Sequence, residues 1–295
     1  MRYRPFGISG KAVSALSLLL RDHGKTQPAG AWRGLTVGAM ECGINAFELE
    51  AGVEALAAGF RHALESVERR LLFVAWRICG DGRTPTDARS IEAAVRMGLT
   101  QSGAGYFDLL TIDEAAYATL TAEGARMLDD VRAAGLALQI GVAGTGDLVD
   151  QAVATGAFDS LSSPFNLTSG WAIRRRIREA AQRNMSITGF DAFPPALCRP
   201  PAQAGTRPSL FRRSGPTAAT VGAYGFLHET RNWEADELCL AYALTEPALA
   251  CVQIETHRTE VIERLAAVPD RELPTGLAAQ IEMARIDTPN DAHAG

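Results

Sequence analysis

Positive charge is in short supply in this chain of 295 residues: 29 Lys and Arg stand against 34 Asp and Glu, a formal net charge of −5. That balance gives no electrostatic ground for expecting nucleic acid or an anionic membrane as a partner. Long apolar runs are missing as well, since no stretch approaches the roughly 18 residues of a membrane span. The opening MRYRPFGISG lacks the apolar segment of an export signal, so a cytoplasmic protein is expected. Cysteine is sparse and unpaired in pattern. Cys42, Cys79, Cys198, Cys239 and Cys251 are odd in number and lack metal-ligand spacing, which argues against a disulfide framework and for reduced, buried thiols. The histidines (His23, His62, His228, His257 and His293) show no metal spacing either, so no metal site is expected.

What is present is apolar bulk, 47% of the residues, laid out in a regular rhythm. The stretch Tyr106–Asp113, YFDLLTID, is a short bulky run flanked by glycines and followed by a helical pattern, as expected of a parallel strand buried on both faces. Around it the chain alternates. An N-terminal hairpin over residues 2–14 precedes strands at Leu16–Leu20, Ile44–Leu49, Leu71–Ile78, Tyr106–Ile112, Leu138–Val142, Phe158–Leu161, Met185–Phe190 and Ala250–Ile254. Between them fall helical patterns near 31–42, 53–67, 86–99, 118–134, 147–154, 172–183, 233–244 and 259–267. A last helix lies near 277–285.

Strict strand–helix alternation means a parallel sheet, and eight units favour closure. An open dinucleotide-binding sheet would carry GxGxxG after its first strand, and Leu16–Arg21 is followed by none. The expected fold class is therefore α/β, a (β/α)8 barrel with an N-terminal hairpin and a C-terminal helix. It forms one domain over residues 1–287, with a long Pro-, Gly- and Arg-rich loop at 191–231 and a disordered tail at 288–295.

Five stretches carry a resemblance to a known family. YRPFGISGKAVSALSL, AMECGINAFELE, YFDLLTID, VRAAGLALQIGVAG and FDSLSSPFNL, together with the Val252–Leu265 region, resemble in order and spacing the aldo-keto reductases over about residues 1–270. The resemblance implies carbonyl reduction with a nicotinamide cofactor by a tetrad of Asp, Tyr, Lys and His. At the matching positions stand Glu48, Val53, Arg77 and Asp113. Glu48 and Arg77 keep the signs of an ion pair. Val53 has no proton to give, and no tyrosine occurs between Tyr3 and Tyr106 to replace it. Asp113 would oppose a developing alkoxide where an imidazole would stabilise it.

The cofactor segment implied by the resemblance is divergent too. Ile254, Glu255 and Glu260 occupy the positions that would hold a 2′-phosphate, and carboxylates there favour NAD(H) over NADP(H). Glu263 matches the adenine-binding glutamate, with Arg264 in place of asparagine. Phe190 matches the aromatic beneath the nicotinamide and is followed by Asp191. Ala143, Gly144 and Ser162 stand where the carboxamide would be held. Each has a plainer alternative: Glu255, Glu260 and Glu263 as a solvated helix start, Glu48–Arg77 as a structural pair, Phe190 as core, and Asp113 as a rim residue.

The lost tetrad and the NAD-leaning loop point to a catalytically silent homologue. It resembles the oxidoreductase-like regulators of the KidO type, which contact the division GTPase FtsZ and a cell-cycle histidine kinase. The Arg199–Arg213 loop and the basic helix Arg174–Arg178 are the partner-contact candidates. The alternative is an active NAD(P)H-dependent oxidoreductase with Glu48, Arg77 and Asp113 as a non-standard acid/base set.

Overall fold

Eight parallel strands close on themselves in the computed structural model, which describes residues 1–7, 10–24, 27–199 and 222–287. The chain opens with an antiparallel hairpin, β1 (Tyr3–Phe6) and β2 (Lys11–Ser14). The barrel strands are β3 (Leu16–Leu20), β4 (Ala46–Glu50), β5 (Phe73–Ile78), β6 (Leu109–Asp113), β7 (Ile140–Ala143), β8 (Ser160–Pro164), β9 (Ser186–Phe190) and β10 (Leu249–Ile254). Consecutive strands are neighbours all the way round, and β10 closes onto β3 through Val252 opposite Leu16. This is the (β/α)8 barrel.

The helices are α1 (Ala29–Glu41), α2 (Glu54–Leu64), α3 (Ala88–Ser102), α4 (Glu114–Ala118), α5 (Ala122–Ala133), α6 (Asp147–Thr155), α7 (Trp171–Gln182), α8 (Pro195–Cys198), α9 (Ala235–Ala243), α10 (Thr259–Ala266) and α11 (Leu277–Asp287). The main core lies between helices and strands, where Trp32, Phe47, Phe60, Trp76 and Phe107 are fully buried. A second, smaller core plugs the bottom: Phe6 and Val13 of the hairpin pack on Ala46, Phe73, Leu109 and Cys251. The Phe6 and Phe73 rings lie 4.5 Å apart.

Two expected elements differ. The helix expected at 118–134 begins at Ala122 as α5, where Thr121 caps it by accepting from Gly124 N, and a separate short helix, α4, precedes it, capped by Asp113 accepting from Ala116 N. The strand expected from Tyr106 begins only at Leu109. Asp108, 2% exposed, donates its N–H to Val74 O, while its carboxylate takes Val74 N, Lys11 and Arg69. Of the long loop, α8 and a short 3-10 turn at Gly225–His228 are described. The rest of it (200–221) and the tail at 288–295 lie outside the described residues.

Candidate functional site

The C-terminal ends of the barrel strands surround a cavity of about 530 Å³. Its wall takes Arg21 from beyond β3, Arg77 from β5, Asp113 from β6, Ala143 from β7, Phe190 and Asp191 from β9, and Gln253 and Glu255 from β10. Side chains alternate along a strand, so Glu48 and Glu50 of β4 both point inward and meet basic partners.

On the floor, Arg77 Nη2 donates to Glu48 Oε2 at 2.6 Å and to Gln253 Oε1 at 3.3 Å. Gln253 Nε2 donates to the same Glu48 oxygen at 2.6 Å. The pair is buried, with Glu48 4% and Arg77 6% exposed. Burial pushes the Glu48 carboxyl up, but the Arg77 charge and the hydrogen bonds from Arg77 and Gln253 outweigh it and hold Glu48 below the ordinary range. Arg77 is raised in turn: its burial is outweighed by the charge of Glu48. Thr111 stands close to the carboxylate without completing a hydrogen bond. Arg77 Nε has no partner among the described residues.

Higher in the mouth, Arg21 Nε bonds Glu50 Oε2 at 3.0 Å, and its Nη1 lies 3.7 Å from Glu255 Oε2. Glu255 also takes His23 Nε2. Cys79, on the same edge, donates to Glu50 at 3.4 Å. Burial and then the Glu50 charge push its thiol up to about 12, so it is not a thiolate nucleophile at neutral pH.

Asp113 Oδ1 accepts from Gly80 N at 2.9 Å and Ala116 N at 2.7 Å. The neighbouring Glu114 reaches across to the β7–α6 loop, where Oε2 accepts from Thr145 N and Gly146 N, both at 2.9 Å. The amides at the start of α6 are a ready anion site, and an internal carboxylate fills it. The loop has glycines because of that approach. A Cβ at Gly144 would lie 2.6 Å from Glu114 Cβ, and one at Gly146 would lie 2.3 Å from Glu114 Oε1.

Of the residues singled out from sequence, Arg77, Asp113, Ala143, Gly144, Phe190, Asp191 and Glu255 line this one cavity, and Glu48 lies beneath it. The others are placed elsewhere. Val53 is the residue before α2, half-buried against the hydrophobic core. Ile254 is fully buried. Ser162 lines a void of about 20 Å³ inside the barrel. Glu260 is exposed, 3.7 Å from Arg258. Glu263 is exposed on α10, and its charge, after burial, helps to raise the Cys42 thiol at the end of α1. Arg264 gives both terminal nitrogens to Asp236 at 2.6 Å.

In the basic helix, Arg176 is buried on Asp150, Thr145 and Gly146, and Arg174 bonds Tyr242 and Ser169, so these two arginines face inward. Arg178 is exposed. Sequence reasoning passed over Arg21, Glu114 and Gln253. The one available signal for Glu114 was its place beside Asp113 at a strand end, where barrels carry their polar residues.

No model of a known protein family matches the chain, and no curated protein matches it.

Proposed function

We propose that this chain is a catalytically silent barrel that binds a small ligand at its mouth and regulates through protein–protein contacts. One observation carries the reading: the ionisable groups of the mouth are almost all satisfied within the chain. Glu48 pairs with Arg77, Asp113 caps α4, Glu114 fastens the β7–α6 loop, and Glu255 engages Arg21 and His23. A general acid needs a proton to give and access to the reacting oxygen. Glu48 is held ionised beneath Arg77, and Asp113 Oδ1 is engaged by two backbone amides. Val53 has no acidic group and does not border the cavity.

NAD(H), preferred over NADP(H), is the cofactor implied by the resemblance to aldo-keto reductases. Phe190 suits it as a ring platform on the cavity wall. The rest of the described site suits it poorly. The loop amides near the carboxamide position are taken by Glu114, Arg264 is bound to Asp236, and Glu255 is closed by Arg21 and His23. Four carboxylates (Asp113, Glu114, Asp191, Glu255) against Arg21 and Arg77 along the wall also oppose a diphosphate. When bound, the dinucleotide would supply hydride; no residue described here would hand on the accompanying proton.

Incubation with NADH or NADPH and a panel of aldehydes and ketones is expected to show no consumption above buffer. Consumption abolished by Asp113→Ala would overturn silence and establish the oxidoreductase reading with Glu48, Arg77 and Asp113. Quenching on NADH titration, lost in Phe190→Ala, would establish the dinucleotide as the ligand, and its absence would remove it. The likeness to KidO-type regulators makes FtsZ and a cell-cycle histidine kinase the partners to test. Co-sedimentation with bacterial FtsZ polymers is the expected result, and a protein that stays in the supernatant removes FtsZ.

A further inference from the structure

Besides the buried Glu48 Oε1 beneath the floor, two groups at the mouth keep polar atoms without a partner among the described residues, and they have opposite charge. The first is the guanidinium on the floor. Arg77 gives only Nη2 to Glu48 and Gln253; Nε and Nη1 have no hydrogen-bond partner among the described residues, although the residue is more than nine-tenths buried and lines the cavity. A buried donor without an acceptor is costly, and arginine is the residue best suited to a carboxylate.

The second is Asp191 on the rim. Its carboxylate has no hydrogen bond or ion pair among the described residues; Arg21 is the charge that influences it, and Arg21 is already engaged by Glu50 and Glu255. Its backbone sits at φ 53, in the left-handed region that a non-glycine residue enters at a cost. Asn166 Nδ2 holds the turn by donating to Asp191 O at 2.9 Å. A strained rim position thus sets a carboxylate without a direct partner at a cavity whose floor holds unpaired N–H groups. Between them Phe190 and Phe193 supply apolar wall.

We infer that the mouth is a binding site for a small zwitterion, a molecule carrying a carboxylate that Arg77 receives and an amine that Asp191 receives. The inference rests on the reading of the mouth as a ligand site in a silent barrel, and it names the ligand class. Its chemistry also matches the acidic excess of the wall, which favours an amine and opposes a diphosphate.

The test is calorimetric titration of the full chain with the protein L-amino acids and with glycine, γ-aminobutyrate and ε-aminocaproate. Each is paired with its N-acetyl and its carboxamide derivative, so that either ligand charge is removed without touching the buried Arg77. At least one zwitterion is expected to bind, with affinity falling about tenfold or more in both of its derivatives. Asp191→Asn, which tolerates the left-handed backbone, is expected to weaken the zwitterion by a similar factor and to leave the N-acetyl compound unchanged. Binding by no member of the series, equal binding of zwitterion and derivatives, or indifference to Asp191→Asn would each overturn the inference. Those outcomes leave silence untouched, because silence is read from cofactor consumption.

Discussion

Both members of the Glu48–Arg77 pair are more than nine-tenths buried, so each charge depends on the other. Breaking a buried pair from one side costs about 3–5 kcal/mol, while replacing both members by apolar residues of similar volume is often neutral or stabilising. Glu48→Ala is therefore expected to lower unfolding free energy by about that amount in urea titration, and Glu48→Leu with Arg77→Met to recover most of it. A double variant no more stable than the single one would show that Gln253 and Thr111 also require the charges. The pH dependence follows from direction. Glu48 is depressed in the folded chain, so its contribution is fully present above the ordinary carboxyl value of 4.5 and is lost as pH falls through the lower folded value. Denaturation of the wild type is expected to become easier below about pH 4.5, with a shallower fall in the double variant. Opposite signs at positions 48 and 77 made a pair legible in sequence. Gln253 was not legible, because it joins them only when β10 closes the barrel, 205 residues further on.

At the scale of the element, the contact between Glu114 and the β7–α6 loop ties α4 to α6. Glu114→Ala removes an acceptor shared by two amides and is expected to cost about 1–3 kcal/mol. Faster hydrogen exchange at Thr145 and Gly146 would identify the loop as the part released, and unchanged exchange there would contradict the contact. Gly146→Ala should have the same signature, since its methyl meets Glu114 Oε1. Thr121→Ala removes the α5 cap and is expected to cost about 1 kcal/mol in the same assay. The sequence pattern placed one helix at 118–134 and none at 114–118, because five residues are too few for a helical period to show. The caps at Asp113 and Thr121 decided otherwise.

For the molecule as a whole, the proposed silence rests on placement as well as on composition. Placing a tyrosine at 53 and a histidine at 113 supplies two residue types of the tetrad that the resemblance implies. Position 53 nevertheless packs toward the core at the start of α2 and does not border the cavity. The variant Val53→Tyr with Asp113→His is expected to remain inactive with NADH, NADPH and the carbonyl panel. Measurable turnover would show that the mouth rearranges to admit the phenol. At the opposite end, the hairpin seals the barrel floor through Phe6, 1% exposed. Phe6→Ala is expected to cost about 3–5 kcal/mol in denaturant titration; Phe6 packs in the smaller core and does not line the mouth cavity, so binding of the proposed mouth ligand is expected to be unchanged.

The sequence by itself determined the architecture, because strand period, helix period and their alternation are local properties of the chain and eight such units have one common closed solution. It also determined that Val, Arg and Asp stand at positions 53, 77 and 113, where the resemblance implies Tyr, Lys and His. Only the tertiary structure decided which of the substituted residues share a cavity. Arg77, Asp113, Phe190, Asp191 and Glu255 meet there because parallel strands bring their C-terminal ends to one mouth, while on α10 Glu260 and Arg264 project onto other partners and Glu263 is exposed. Only the structure showed that almost every mouth charge is already answered from within the chain, leaving Arg77 and Asp191 with groups to offer. Charge pairing depends on distances across the closed barrel, and residue spacing along the chain carries no measure of those.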